Sequence, residues 1–494
     1  MSLSIGATAA SSSHWFDTIG SSSDESGHFI TSSGGFLYVA GTTDMTDSNG
    51  GVDFFLAKID SDGGLRNYRV IGEGSSRDVV TGITHDDDGN IYFVGYTDAF
   101  TPSGAYGPVN AIFVAKFDSN ANLLWAEYVG ASSTSDDDYG EGIVYGRDGY
   151  LYITGSYQGE LFVAKINPSD GKFIWFKTYG VKAPTEESIP ITYSNTEQSL
   201  YIAYETAGNY GQNDVYVIKL DVSTTGDGDP LWYITFGGAG YDYAKGIITG
   251  KGGSVVVAGY TSSFRISSGS TDEDYNAYVV IIDPKDGSVD YRKLIGEDGT
   301  DDEAVGMVYS AQDENIYITG FTKSYGAGGY DGFVAGLDYS LNIKWFKTIG
   351  GSSTDIMMDI AIGPGNYLYT TGYTDSFGAG GNDLAVLLAS DSLSSLTSSD
   401  STQAAVVKVN DVTPGSTSFT PSQTALKNPT PKELQITAKS WDPNHDTDYA
   451  GSTALTVTKY TDNNTPDPVP EPWLVSMTVL GILTVSIFLI SRRN

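Results

Sequence analysis

The sequence predicts an all-β fold, a seven-bladed β-propeller with four-stranded blades, plus a small β stalk and one C-terminal transmembrane helix. An aromatic strand motif that ends in glycine recurs from residues 15, 67, 125, 175, 232, 291 and 345, at intervals of 50 to 59 residues. Each interval also holds three further strand-like runs separated by turn residues, such as residues 305–309, 316–320 and 332–337. Tandem four-strand units of this length are typical of a propeller.

The order of the units predicts how the ring closes. The first aromatic strand, residues 15–20, precedes the first full unit, and the last unit ends after its third strand near residues 384–389. We therefore expect the N-terminal strand to complete the last blade, which would remove two exposed sheet edges. The predicted propeller spans residues 14–390.

Two units depart from the pattern. In the fourth unit, Glu186 and Pro190 replace the usual aspartate and glycine, and Tyr204 replaces a strand glycine. In the first unit, Asn67 stands where tryptophan is usual. We expect local weakening at these positions and retention of the fold.

The units resemble the bacterial β-propeller repeat known as SBBP. The shared pattern is a glycine–aspartate turn, an apolar strand, a tyrosine-rich strand, a phenylalanine-valine-alanine-lysine strand as at residues 113–116, and a tryptophan strand. Proteins with this repeat are mostly surface or secreted proteins. The resemblance therefore implies a fold more than an activity.

Composition changes after the propeller. Residues 391–403 form a Ser/Thr-rich linker, residues 404–460 a small β module or stalk, and residues 461–472 a Pro/Asn-rich spacer. Residues 473–490 are uncharged and mostly apolar, and as a helix they would span about 27 Å, close to the thickness of a bilayer core. A buried core helix is the alternative, but such helices are usually amphipathic and this run is apolar on every face.

The C-terminal tail resembles the PEP-CTERM sorting signal of bacteria, with a plain single-pass anchor as the alternative. That resemblance implies export and processing by a membrane-embedded exosortase-like enzyme linked to the extracellular matrix. Acidic residues precede the apolar run and arginines follow it, which predicts a membrane-anchored protein with the propeller outside the cell. Residues 1–13 lack the basic start and apolar run of a secretory signal, which departs from the family pattern. The residues that carry the resemblance are Pro470, Glu471, Pro472, Arg492 and Arg493.

Charge and composition exclude some functions. The chain has 61 acidic and 27 basic residues, for a net charge of −34, which argues against binding to nucleic acid. It has no cysteine, so disulfides and cysteine nucleophiles are excluded. Its four histidines are scattered without zinc spacing, and neither a serine-hydrolase elbow nor a phosphate loop is present.

Acidic residues recur at two positions of the repeat on the face that should carry the long loops. They admit two interpretations: turn residues that accept backbone N–H groups, or ligands for Ca²⁺, the one cofactor that the sequence suggests. The first series, the candidate metal ligands, comprises Asp24, Asp78, Asp138, Asp242, Asp302 and Asp355, with Glu186 in the fourth unit. The second comprises Asp53, Glu160, Asp214, Asn276, Asp331 and Asp383, with Ala111 as the exception.

Aromatic side chains are the other candidates for ligand contact. The tryptophans of the fourth strand are expected to pack between blades rather than to stack on sugars. Loop aromatics suit ligand contact better, namely Phe100, Tyr106, Tyr210, Phe264, Tyr325, Tyr330 and Phe377.

Three functions follow as hypotheses. The first is a non-enzymatic binding or structural module at the cell surface or in the extracellular matrix, whose long-loop face contacts a polysaccharide or a surface or matrix protein. The second is a carbohydrate-active enzyme, a glycoside hydrolase or lyase, that uses carboxylates near the propeller channel. The third is a tail-anchored intracellular scaffold.

Overall fold

A computed structural model shows a ring of seven antiparallel blades, of which the sixth and seventh are joined through added strands into one 11-stranded sheet. It describes residues 15–20, 24–44, 51–72, 76–99, 109–130, 137–184, 188–207, 212–224, 226–266, 274–378 and 381–389, together with the backbone of short strands between 396 and 461. Two three-residue 3₁₀ turns, Lys251–Gly253 and Pro364–Asn366, are the helical elements of these residues.

The strands of the blades follow one another in chain order from the channel outward. β1 (Trp15–Gly20) precedes blade 1, which holds β2 (Glu25–Ser33), β3 (Phe36–Thr43), β4 (Asp53–Asp60) and β5 (Leu65–Ile71). Blade 2 holds β6 (Asp78–His85), β7 (Ile91–Thr97), β8 (Ala111–Phe117) and β9 (Leu123–Val129). Blade 3 holds β10 (Tyr139–Tyr145), β11 (Leu151–Tyr157), β12 (Glu160–Ile166) and β13 (Phe173–Lys182). Blade 4 holds β14 (Ile191–Ser194), β15 (Ser199–Ala207), β16 (Asn213–Asp221) and β17 (Asp229–Gly237).

The remaining blades follow the same plan. Blade 5 holds β18 (Asp242–Thr249), β19 (Val255–Thr261), β20 (Asn276–Ile282) and β21 (Val289–Gly296). Blade 6 holds β22 (Asp302–Ser310), β23 (Asn315–Thr322), β24 (Asp331–Leu337) and β25 (Ile343–Gly350). Blade 7 holds β26 (Asp355–Ile362), β27 (Leu368–Thr374) and β28 (Asp383–Ala389). The second and third strands are almost wholly buried because both of their faces pack against neighbouring blades.

The N-terminal strand closes the ring as predicted. β1 pairs antiparallel with β28, with Phe16 opposite Leu387 and Ile19 opposite Leu384. All six residues of β1 are buried. Blade 7 therefore joins the first described strand of the chain to residues more than 350 positions later. The seven-bladed all-β propeller is confirmed.

The C-terminal part of the chain adds short strands to the outer edges of the blades. Successive short strands pair antiparallel with the outer strands β25, β21, β17, β13 and β9, in that order, and so pass from blade 6 back to blade 2. A last strand pairs with β1. Such pairing covers sheet edges that would otherwise be open. The added strands are β29 (Leu396–Ser398), β30 (Val406–Asp411), β31 (Gly415–Thr417), β32 (Ser422–Ala425), β33 (Lys432–Glu433), β34 (Lys439–Ser440) and β35 (Thr456–Thr461). The domain boundaries given above stay predictions.

One part of the predicted fold class was wrong. The described residues contain no helix that is long and apolar enough to cross a membrane. The predicted transmembrane helix depended on composition alone, and an apolar run sets a hydrophobicity and a length without itself forming a helix. Residues 473–490, on which that prediction fell, lie outside the described residues, as do the tail residues 470–472, 492 and 493.

Candidate functional site

The first acidic series lies at or next to the start of the innermost strands, where most of its carboxylates join neighbouring parts of the ring. Asp355 accepts hydrogen bonds from the Thr374 hydroxyl, from Oγ of Ser376 at 2.7 Å and from the backbone N–H of Gly351 at 2.7 Å. Thr374 and Ser376 belong to blade 7, whereas Gly351 lies in the crossover from blade 6. Asp242 and Asp302 make the same three kinds of contact. In these three blades the carboxylate therefore joins the end of the second strand to the crossover that precedes the first.

The other members of the series follow this arrangement in part. Asp78 accepts from Oγ of Ser76 at 2.7 Å, and Asp138 from the backbone N–H of Gln158 at 2.9 Å. In blade 1 the structure places Glu25, one residue after Asp24, at the equivalent position, where its backbone N–H bonds to Asn382. Asp24 itself is exposed, and its Oδ1 accepts a hydrogen bond from the backbone N–H of Asn382 at 2.8 Å. Glu186 lies outside the described residues.

The second acidic series explains the glycine that ends several of the aromatic strands. A Cβ atom on Gly350 would lie 2.0 Å from Oδ1 of Asp331 and 3.0 Å from Oδ2 of Asp355. The carboxylates of Asp383 and Glu25 enclose Gly20 in the same way. At Gly20, Gly237 and Gly350 the motif therefore ends in glycine because two carboxylates occupy the space of a side chain, whereas a Cβ on Gly130 or Gly180 would meet no carboxylate.

Burial changes the titration of these carboxyls. It raises the pKa of Asp302 to about 6, although the hydrogen bonds to the carboxylate oppose the shift. Burial likewise raises the pKa values of Asp242 and Asp355. The six predicted metal ligands belong to six different seams, and the described residues contain no group of three or more His, Cys, Asp or Glu side chains that could hold a metal ion. Calcium binding stays a prediction.

The central channel is lined by bulges in the innermost strands. A register shift in six of the seven blades inserts one extra residue, and bulges of this kind re-aim side chains. The cavity is about 260 Å³, and its charged lining residues are Glu141, Lys245 and Asp359. The extra residues are His28, Thr81, Glu141, Lys245, Val305 and Met358. The sequence suggested carboxylates near the channel but could not name these residues, because a bulge is visible only once the register of both strands is known.

Asp359 is a carboxyl of the channel that lies at the junction of two blades. Its Oδ2 accepts from the backbone N–H of Ile30 at 3.0 Å, which links blade 7 to blade 1. Burial raises the pKa of this carboxyl to about 7. Across the channel, Nζ of Lys245 lies 3.9 Å from Oε1 of the buried Glu205. The channel therefore combines a carboxyl that titrates near neutrality with a cation.

Tyrosines cluster at the long-loop end of blade 5. The rings of Tyr243 and Tyr260 lie 4.7 Å apart, and Tyr275 lies 5.1 Å from Tyr260. Tyr241 stacks on Tyr243 at 6.1 Å and is 39 % exposed. We call these four residues the tyrosine cluster. Nζ of Lys245 lies 5.5 Å from the ring of Tyr243, so the cluster adjoins the channel.

Of the predicted loop aromatics, four are described and three are not. Tyr330 packs edge to face on Phe321 at 5.4 Å, and its hydroxyl donates to Asp301 at 3.1 Å. Tyr325 packs on Phe346, and Phe377 on Phe16, so both support the blades. Phe264 is half-buried against the core between blades 4 and 5. Phe100, Tyr106 and Tyr210 lie outside the described residues.

The tryptophans lock neighbouring blades together on the short-turn face. The indole N–H groups of Trp15, Trp125 and Trp232 donate to the backbone carbonyls of Ser61, Pro168 and Pro284, each in the turn of the next blade. That turn also contains a glycine with no room for a Cβ atom. A Cβ on Gly171, for example, would lie 3.0 Å from the ring of Trp125.

The first seam departs from this packing. Asn67 replaces tryptophan and donates to the carbonyl of Asn120 at 2.7 Å. Ala121, with a φ of 63°, stands at the position that Gly171 takes in the equivalent turn of blade 3. Beside Asn67 the surface opens into a cleft of about 530 Å³, which we call the blade 1 cleft; it is lined by Phe36, Lys58, Asp60, Arg66, Asn67 and Asn120.

Comparison with known proteins supports the repeat family. Residues 69–100 match the model of the SBBP family, described as a β-propeller repeat. The match runs from β5 through β7 and so covers one blade junction. A search of curated proteins returned no match.

Several solved structures are similar to this chain at low sequence identity. A protein of unknown function from Bacteroides caccae is 10 % identical, with 68 % of this chain and 93 % of that chain covered and a TM-score of 0.38. An ulvan lyase of polysaccharide lyase family PL25 is 11 % identical, with 76 % and 96 % covered and a TM-score of 0.40. Drosophila Plexin A, in complex with Semaphorin 1b, is 10 % identical, with 75 % and 86 % covered and a TM-score of 0.41. At these scores the likenesses carry no argument about activity.

Proposed function

We propose that this propeller is a non-enzymatic binding module that contacts a polysaccharide through its long-loop face, with a surface or matrix protein as the alternative partner. The observation that supports the proposal is the tyrosine cluster of blade 5. Three of its rings brace one another within 4.7 to 6.1 Å, and the fourth, Tyr241, presents an exposed ring.

The chemistry of the cluster suits sugars. A tyrosine ring offers an apolar face for the C–H groups of a pyranose, and its hydroxyl offers a hydrogen bond at the rim. Rings that already pack against one another lose little conformational entropy when a ligand binds. On the neighbouring blade, Tyr330 adds a further ring that is hydrogen-bonded to Asp301. The two blades thus offer rings and carboxylates side by side.

A binding screen of the folded protein against polysaccharides and matrix extract tests the proposal. Tyr241→Ala should weaken binding of the best ligand about tenfold or more, because an exposed stacking ring is removed, and should leave the fold unchanged. Tyr291→Ala is the matched control, since Tyr291 is 48 % exposed but lies on the outermost strand β21. Equal losses in both variants, or no loss in Tyr241→Ala, would reject the long-loop face as the binding surface.

One observation favours a second function, a carbohydrate-active enzyme. Glu141 and Asp359 both line the channel, and a carboxyl with a pKa of about 7 suits a general acid at neutral pH. Incubation of the protein with the bound polysaccharide, followed by analysis of reducing ends and unsaturated products, tests this function. Cleavage by the wild type that disappears in Asp359→Asn would favour the enzyme over the binding module.

The proposal places the module at the cell surface or in the extracellular matrix. SBBP-type repeats and the acidic composition suit that location, and the resemblance of the tail to a sorting signal would make an exosortase-like enzyme a processing partner. Protease treatment of intact cells tests the location, because a displayed propeller would be digested and an intracellular scaffold would survive.

A further inference from the structure

The blade 1 cleft is the place where the repeat leaves a concave surface in place of a packed tryptophan. The cleft lies on the short-turn face, whereas the tyrosine cluster lies on the long-loop face. The cleft is formed by the short turns before β3, between β4 and β5, and between β8 and β9. A ligand there would not share residues with the long-loop face. The inference is therefore independent of the proposed function.

Cations are concentrated at this cleft in a chain that is otherwise strongly acidic. Nζ of Lys58 lies 4.1 Å from the ring centroid of Phe36 and donates to the carbonyl of Ser119 at 2.6 Å. The Arg66 side chain is 60 % exposed and forms an ion pair with Asp60. Arg69 lies on the same strand and donates to Asn122 at 2.7 Å. Asp60 and Asp118 lie beside these cations, so the cleft is an ion-paired site whose exposed cation, Arg66, is the one that an incoming anion can reach on a chain with a net charge of −34.

The remaining lining residues are neutral hydrogen-bonding groups. The carboxamides of Asn67 and Asn120 and the hydroxyl of Ser61 border the cleft, with the partly buried Phe36 at its floor. Carboxamides and hydroxyls both donate and accept, as the hydroxyls of a sugar do. A guanidinium pairs with a carboxylate or a sulfate through two parallel hydrogen bonds. The volume of about 530 Å³ is in the range of small-molecule sites.

We propose that the blade 1 cleft binds a pyranose unit that carries an anionic group, a carboxylate or a sulfate. The anionic group pairs with Arg66 at the rim, the ring lies against Phe36, and the sugar hydroxyls bond to Asn67 and Asn120. Lys58 adds a fixed positive charge beneath the ring. The cleft would thus select acidic saccharides over neutral ones.

Calorimetric titration with three oligosaccharide probes tests this site: an oligogalacturonate for the carboxylate, a sulfated oligosaccharide for the sulfate, and a cello-oligosaccharide as the neutral control. We expect one or both acidic probes to bind, with an affinity that falls at least fivefold between low salt and physiological salt, and the neutral probe to bind at least tenfold more weakly. The acidic probe that binds more tightly identifies the anionic group. Equal binding of neutral and acidic probes, or binding of none, would overturn the proposal.

Two variants locate the binding. Arg66→Gln removes the rim cation and should weaken the acidic probe at least tenfold. The double variant Asn67→Trp with Ala121→Gly rebuilds the tryptophan–glycine packing of the other seams, fills the cleft and should abolish binding. Arg147→Gln is the control, since Arg147 is an exposed arginine on the short-turn face of blade 3. Acidic probes that bind all variants equally would place the ligand elsewhere, whereas Tyr241→Ala should have no effect here.

Discussion

Gly350, which ends the aromatic strand of blade 6, gives a quantitative prediction about the two carboxylates beside it. In Gly350→Ala the new methyl group would lie 2.0 Å from Oδ1 and 2.8 Å from Cγ of Asp331, and 3.0 Å from Oδ2 of Asp355. Carbon and oxygen atoms do not approach to 2.0 Å, so the Asp331 carboxylate must move. That carboxylate accepts from the backbone N–H groups of Ala327 at 2.9 Å and Gly328 at 3.3 Å.

The expected destabilisation follows from these contacts. Overpacking of a filled site costs about 1 to 3 kcal/mol, and a displaced buried carboxylate that loses a backbone partner costs about 1 to 3 kcal/mol more. We therefore expect Gly350→Ala to lower the free energy of unfolding by about 2 to 5 kcal/mol. The assay is equilibrium denaturation in urea, followed by tryptophan fluorescence, with the midpoint compared at an equal slope.

The chain supplies its own control for this prediction. Gly130 ends the equivalent strand of blade 2, where Ala111 replaces the acidic residue, and a Cβ on Gly130 would meet only the Cβ of Ala111 at 3.1 Å and its Cα at 3.9 Å. Gly130→Ala should therefore cost less than about 1 kcal/mol, and Asp331→Ala combined with Gly350→Ala should recover part of the loss. Equal costs at Gly130 and Gly350 would refute the argument that the carboxylates dictate the glycine.

Two further predictions concern pH and ring closure. Because the pKa of Asp302 rises from 3.8 in the unfolded chain to about 6 in the fold, the folded state binds this proton more tightly; its contribution to stability is complete below about pH 4 and is lost as the pH rises through 6. The rise in pKa corresponds to about 3 kcal/mol of stability, so the unfolding midpoint should be higher at pH 5 than at pH 7.5. Asp302→Asn should reduce this difference between the two pH values. An equal difference in the variant and the wild type would contradict the role given to Asp302. For closure, Thr18→Pro removes an N–H from β1, which pairs on both sides, and should cost about 3 kcal/mol or more. Thr18→Val keeps the N–H and removes a buried hydroxyl that has no hydrogen-bond partner, so it should be neutral or stabilising, and similar losses in both variants would refute the closure argument.

The ring was predictable from sequence because its signals are local and repeated. A strand motif seen once is ambiguous, but its recurrence from Trp15 to Trp345 fixes the number of blades, and the position of the first copy fixes the closure that β1 and β28 show. The candidate sites were less predictable. Glu25, and not Asp24, holds the repeated acidic position, because Phe29 stands where blades 2, 3, 5 and 6 carry glycine, and the sequence of blade 1 therefore lacks the residue from which the position was counted. The short strands β29 to β35 carry no repeat, so their pairing with the blade edges depends on partners far away in sequence.

The structural effect of Asn67 was also only partly predictable from the sequence. The sequence predicted weakening where tryptophan is missing. Whether a missing side chain leaves a void, a collapse or a cleft depends on the residue opposite, and that residue is Ala121, 54 positions later in the neighbouring blade. Ala121 is fully buried, and the surface beside Asn67 is open as a cleft next to Lys58 and Arg66.

These contrasts suggest where function lies in a propeller of this kind. Features that recur in several seams, such as the carboxylates around Gly350, are engaged in hydrogen bonds of the ring itself: Asp355 receives three donors, from blade 7 and from the crossover that precedes it. A cation at such a position would have to displace those donors, at a cost to the seam. Features present in one blade only, such as Lys245 beside the tyrosine cluster or Asn67 opposite Ala121, are not required by the repeat. Binding specificity is therefore best sought where the repeats differ, and the two faces of this propeller each offer one such place.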